Sequence, residues 1–165
     1  MRLVVDTNIA FSILIGGVRL RRLFLTMRGA VTLVAPRRII EEVEKLVPRA
    51  AEYVGAEPQL MREIYNTIIK PYIEVVNEED IPESIREEAW RLVHNVDPDD
   101  WPFVALAMHL GVPLWTGDRG LLRLSAETGF RYFTAIDTEG VEMLLEGAPL
   151  GEVRERMKKK YEAGI

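Results

Sequence analysis

Short runs of consecutive apolar residues alternate along the chain with longer stretches whose apolar residues recur every three or four positions. Arg2–Val5 is such a run, without polar alternation, and predicts a strand buried on both faces; Val31–Val34, Ile73–Val76, Val112–Trp115 and Arg131–Thr134 read as further strands. Helical spacing covers Asn8–Ile15, ended by Gly16-Gly17, then Val18–Met27, Pro36–Arg49, Glu57–Lys70, Pro82–Val96, Trp101–Leu110 and Arg119–Thr128, with helices from Asp137 and Gly151. Pro36 suits a first helical turn, Pro71 ends a helix, Asn77–Pro82 is a loop, and Gly111 suits a C-cap. Short apolar strands alternating with helices throughout predict an α/β protein, a three-layer α/β/α sandwich around a mainly parallel sheet.

The chain of 165 residues suits one domain, and 48% hydrophobic with 28% charged residues is an ordinary globular balance. Residues 1–146 are expected to form the domain and 147–165 a helical extension of it. With no cysteine, disulfides, cysteine-ligated zinc and thiol catalysis are excluded. The start, MRLVVDTNIAF, does not read as a secretory signal, and no apolar stretch approaches the ~20 residues of a membrane span. A cytoplasmic protein without a membrane partner is the expectation. Twenty-one Lys+Arg against 26 Asp+Glu leave a net charge of −5, so any nucleic-acid contact must come from local basic groups.

In parallel sheets, ligands bind beyond the C-terminal ends of the strands. Asp6 follows LVV there, and Asp118 follows VPLWTG. Each reads equally as a helix N-cap, worth about 1 kcal/mol. On the Pro36 helix, Ile39, Val43 and Val47 form one apolar face, and Glu42 falls on its edge, about 300° around from Ile39, whereas Glu41 and Glu44 point away at about 200° and 140°. The run Asp97-Pro98-Asp99-Asp100 holds more acids than one cap needs, and like charges that close suggest a divalent cation. A hard, oxygen-liganded ion such as Mg²⁺ fits, and its chemistry is attack of water on a phosphate ester. No nucleotide-binding glycine motif or serine-nucleophile motif competes.

Four segments in this order, VVDTNI at 4–9, PRRIIEEV at 36–43, DPDDWPFVALA at 97–107 and TGDRGLL at 116–122, resemble the PIN domain. The resemblance runs from about Arg2 to Asp137 and implies an α/β/α fold and a ribonuclease dependent on Mg²⁺ or Mn²⁺. It places catalytic acids on Asp6, Glu42, Asp100 and Asp118, with metal ligation by Asp6, Asp100, Asp118 and the additional Asp97. Thr7, Asn8 and Thr116 match positions that hydrogen-bond to the acids or to metal-bound water. It implies single-stranded RNA as substrate, a homodimer, and, as in VapC-type toxins, an antitoxin protein as partner. The alternative is a non-catalytic PIN fold that binds RNA or serves assembly. A dehalogenase-type phosphatase would need an Asp where Asn8 stands. Arg37, Arg38 and Arg119 are the expected RNA contacts; the basic groups at Arg19–Arg22 and Lys158–Lys160 read first as solvated helix faces and second as RNA contacts. Trp101 reads as a base-stacking residue or as packing.

Overall fold

The computed structural model describes residues 1–162. Its strands are β1 (Arg2–Val5), β2 (Thr32–Pro36), β3 (Ile73–Val76), β4 (Leu114–Trp115) and β5 (Ala135–Ile136). They form one parallel sheet in the order β3-β2-β1-β4-β5, with Val4 opposite both Val34 and Leu114. Successive strand residues face opposite sides of a sheet, and Leu3, Val4 and Val5 are all fully buried, so helices cover both faces of β1. These are α1 (Thr7–Ile15), α2 (Val18–Met27), α3 (Arg38–Val54), α4 (Pro58–Ile64), α5 (Glu83–Val93), α6 (Trp101–Leu110), α7 (Arg119–Glu127), α8 (Thr138–Leu145) and α9 (Leu150–Tyr161). The expected three-layer α/β/α sandwich is what forms. Helix α1 packs on α3, α6 packs on α5 and lies against β1 and β2, and α9 packs on α7 and α8.

Several boundaries differ from the sequence reading. Pro36 closes β2 rather than opening a helix; α3 starts at Arg38. That helix continues through Pro48 to Val54, because Ala50 and Ala51 extend its buried stripe, and it stops only where Gly55 takes φ +71°. The segment expected as one helix over 57–70 is regular only to Ile64. It widens into a π turn over Tyr65–Ile69 and tightens into a 3₁₀ turn over Lys70–Tyr72. Pro71 supplies no N–H, so the regular helical ladder cannot continue through it, although Lys70 before it keeps helical angles, φ −53° and ψ −40°. The fifth strand is Ala135–Ile136, not Arg131–Thr134: α7 ends in a turn with Gly129 and Phe130 both at positive φ, and the chain needs the following residues to return to the sheet. The last helix starts at Leu150. Of the extension expected over 147–165, residues 163–165 lie outside the described residues.

Candidate metal centre and active site

Strands β1 and β4 are neighbours, with Val5 opposite Trp115, while the chain winds outward from β1 to β2 and β3 on one side and from β4 to β5 on the other. Such a reversal of winding opens a crevice at the C-terminal strand ends. Asp6 leaves β1 at this point, and Thr116 and Asp118 leave β4. Asp6 is 3% exposed; one oxygen accepts the Ile9 backbone N–H at 2.9 Å and the other accepts the Thr116 hydroxyl. The Thr116 oxygen accepts the Asp118 backbone N–H at 3.0 Å, and Asp118 Oδ1 accepts the Leu121 N–H at 3.1 Å. Asp6 and Asp118 therefore do cap α1 and α7, and the same bonds aim both carboxylates at the crevice.

The loop between α5 and α6 brings the remaining aspartates. Asp97 caps the short turn Pro98–Asp100 by accepting the Asp99 N–H at 3.1 Å. One carboxylate oxygen from each of Asp97, Asp100 and Asp118 lies within 4.8 Å of the others. Glu42 reaches the same cleft from α3. The cleft has a volume of about 360 Å³; Asp6, Thr7, Asn8, Glu42, Asp97, Asp99 and Asp100 line it together with Lys45 and Leu46.

Crowding shows in the ionisation of these groups. Burial pushes Asp6 up to about 6, against the hydrogen bonds from Thr116 and Ile9, and Asp118 and Glu42 add repulsion. Asp100 is raised well above the carboxylate range, by burial first and then by Asp97, Asp6 and Asp118. Glu42 is raised by burial, opposed by Arg38 and increased by Asp99 and Glu78. The Thr7 hydroxyl sits beside Glu42 and counters part of that rise, but no hydrogen bond of good geometry joins them. Thr7 Oγ1 and Glu42 Oε1 are buried side-chain oxygens without a partner among the described residues. Unsatisfied buried oxygens beside clustered carboxylates are what a hard cation with its water shell would satisfy, and the donors are all oxygen.

A PIN domain family model matches residues 4–146. The chain belongs to the PIN domain family. No curated protein sequence matches it. Among solved structures, this PIN domain is similar to a chain in the crystal structure of VapBC2 from Rickettsia felis bound to a DNA fragment from their promoter, with TM-score 0.60 and 12% sequence identity over 83% of this chain and 98% of that one. At that identity the likeness is one of fold.

The PIN domain thus brings Asp6, Glu42, Asp97, Asp100 and Asp118 together from separate stretches of sequence. Asp6 stands slightly apart: the close-set trio is Asp97, Asp100 and Asp118, and both Asp6 oxygens already accept hydrogen bonds. A carboxylate keeps further lone pairs after accepting two bonds, so Asp6 still has capacity toward a cation. Of the three residues expected to hydrogen-bond to acids, Thr116 does so, Thr7 lies beside Glu42 unpartnered, and Asn8 is exposed on the cleft wall. Glu41 is exposed while Glu42 is half-buried with one oxygen sealed from solvent, in line with the helix geometry.

Two of the expected RNA contacts, Arg37 and Arg38, make side-chain bonds within the protein. Arg38 pairs bidentately with Glu78, its second bond at 3.1 Å, and its guanidinium lies 5.3 Å from the centre of the Trp101 ring. Arg37 donates to Asn77 Oδ1 at 2.5 Å. Trp101, half-buried beneath Arg38, is at least partly packing. Arg119 is exposed at the start of α7, without an ion pair among the described residues. Sequence reasoning missed Lys45, Glu78 and the position of Asp99 in the cleft wall. Lys45 had a signal: three residues beyond Glu42, it shares that side of α3. Glu78 had none, since its partner is forty residues away.

Proposed function

We propose that this PIN domain is a divalent-metal-dependent ribonuclease that hydrolyses phosphodiester bonds of single-stranded RNA. The observation that carries the reading is the meeting of Asp97, Asp100 and Asp118 within 4.8 Å, beside a buried Asp6, at the crevice of a parallel sheet. Asp97, Asp100 and Asp118 would hold Mg²⁺ or Mn²⁺, with Asp6 and Glu42 at its side. When bound, such an ion makes water a stronger nucleophile and offsets the charge that develops on phosphate. The protein residues do the positioning. Thr116 bonds to the Asp6 side chain and to the Asp118 backbone, so the two strand ends keep a fixed separation. Glu42, with a raised pKa and an unpartnered oxygen, is placed to accept a proton or a hydrogen bond from a reacting water.

The fold likeness to a VapBC2 chain supports the narrower reading of a toxin whose partner is an antitoxin protein. Homodimerisation is proposed with it; exposed apolar residues such as Leu25, Leu60 and Ile68 are available for contacts. No helix among the described residues is long and apolar enough to cross a membrane, which is consistent with the cytoplasmic placement proposed here.

The test is incubation of purified protein with single-stranded RNA and DNA oligonucleotides in Mg²⁺, Mn²⁺ or EDTA, beside Asp100→Asn. RNA cleavage that needs the divalent ion and disappears in the variant is expected. Cleavage that survives EDTA or Asp100→Asn, or no cleavage of RNA at all, overturns the reading.

A further inference from the structure

An RNA strand entering this cleft meets the wrong charge. Five carboxylates line the cleft, from Asp6, Glu42, Asp97, Asp99 and Asp100, against a single cationic side chain, that of Lys45. Resting on the ribonuclease reading, we propose that Lys45 is a phosphate-binding residue that seats the RNA backbone at the lip of the acidic cleft.

Availability is the first ground. Lys45 makes no ion pair and no side-chain hydrogen bond among the described residues, whereas Arg38 is paired with Glu78 and Arg62 with Glu44, and Arg37 donates one N–H to the neutral Asn77 amide. The second ground is a pairing that fails to form. Glu41 stands four residues before Lys45, the favoured order for an ion pair along a helix, yet the two are not joined. The third is position. Lys45 borders the acidic cleft and also a neighbouring trough of about 460 Å³ that runs past Arg37 and Arg38 but also past Glu41, Glu78 and Glu79; Glu42 and Asp99 are the other residues common to both, so cations are scarce along the whole path. Lys45 is the cation at the junction, so a strand lying in the trough and reaching the aspartates passes it. An ammonium is a compact point charge that suits a phosphate oxygen and reads no base. Lys45 therefore sets affinity and register on the backbone and leaves sequence preference to other groups.

Lys45→Ala and Lys45→Arg test this, with steady-state cleavage of a single-stranded RNA oligonucleotide at saturating Mn²⁺. Binding of the same oligonucleotide by the non-cleaving Asp100→Asn protein, with and without Lys45→Ala, is followed over a range of KCl. Lys45→Ala should raise KM about fivefold to tenfold, as loss of one charge-assisted contact does, with kcat changed less than about twofold, and Lys45→Arg should restore most of the loss. The slope of log affinity against log salt should become shallower by about 0.7. An active enzyme in which Lys45→Ala leaves KM and salt slope unchanged overturns the assignment alone; so does a fall in kcat at constant KM. A wild-type protein that neither binds nor cleaves RNA overturns both this assignment and the ribonuclease reading.

Discussion

Asp6→Asn should stabilise the metal-free protein while removing its activity. The wild-type carboxylate is 3% exposed and has been pushed from 3.8 to about 6, chiefly by burial. At 1.36 kcal/mol for each tenfold change in ionisation, holding it charged at pH 7 costs about 3 kcal/mol. Asparagine removes that cost and still caps α1, since its carbonyl can accept the Ile9 N–H. The substitution has a cost of its own. The amide offers one acceptor where the carboxylate offers two, so the Thr116 hydroxyl proton loses its partner, worth about 1 kcal/mol. The balance is a gain of about 1–2 kcal/mol, or roughly 2–8 °C in Tm for a chain of this size. The sign with pH follows from a raised folded pKa. The penalty is absent below the ordinary value of 3.8, develops between 3.8 and about 6, and is complete above that. The variant's advantage should therefore be nil or reversed at pH 4 and level off above pH 6. Thermal or urea unfolding in EDTA from pH 4 to pH 8 measures it, with cleavage assayed in parallel. A variant less stable than wild type at pH 7, or a difference that does not change with pH, would show Asp6 to be an ordinary cap and refute the reasoning.

Three further outcomes follow from the same geometry. A Cβ on Gly120 would lie 2.5 Å from Val96 Cγ1 and 3.1 Å from Asp118 Oδ1. Gly120→Ala should therefore push the Asp97 segment from Asp118, cost about 1–3 kcal/mol and weaken Mn²⁺ binding; an unaltered Tm and Mn²⁺ titration would contradict this. Thr116→Val keeps the shape but strips Asp6 and the Asp118 N–H of a partner, so it should destabilise by about 1–3 kcal/mol, with Thr116→Ser near wild type in the same unfolding assay. At the C-terminal end of β5, Asp137 accepts from Lys160 Nζ and Tyr161 OH, both at 2.5 Å, and from the Gly140 N–H at 2.9 Å, and its pKa is lowered by these bonds despite burial. A lowered pKa stabilises above the ordinary carboxylate range and loses its contribution as pH falls through the folded value. Lys160→Met should thus cost about 1 kcal/mol at pH 7, discounted for its partial exposure, and progressively less as pH falls from the ordinary carboxylate values toward the lowered folded values of Asp137 and of its other partner Glu139, which lies at about 2, measured by urea unfolding.

The sheet was legible because strands buried on both faces leave unbroken apolar runs, as LVV before Asp6 does, and because the helices between them carry clean stripes. Glu42 was legible over Glu41 for the same geometric reason: the edge of an apolar stripe is where a side chain turns inward. The boundaries that failed were decided by backbone chemistry that periodicity does not report. Pro48 sits inside α3 because the buried stripe continues beyond it, while Pro71 helps break the next helix into a π turn and a 3₁₀ turn. The acids were findable from their places at strand ends and in the run 97–100. Their partners were not, because the Thr116–Asp6 and Arg38–Glu78 contacts join residues 110 and 40 positions apart. For that reason the ion pair of Arg38 was not legible in the sequence, nor was it legible that Lys45, one turn beyond Glu42, would line the cleft without an ion pair among the described residues.

Metal-dependent cleavage requires that aspartates scattered along the sequence fold into one seat for a divalent ion. Calorimetric titration of the metal-free protein with Mn²⁺ tests it most directly, for wild type and for Asp100→Asn at the same pH. Saturable binding by wild type is expected, lost or reduced at least tenfold in the variant, with the variant still folded. Absence of Mn²⁺ binding by the wild-type protein, or equal affinity in both, would contradict it.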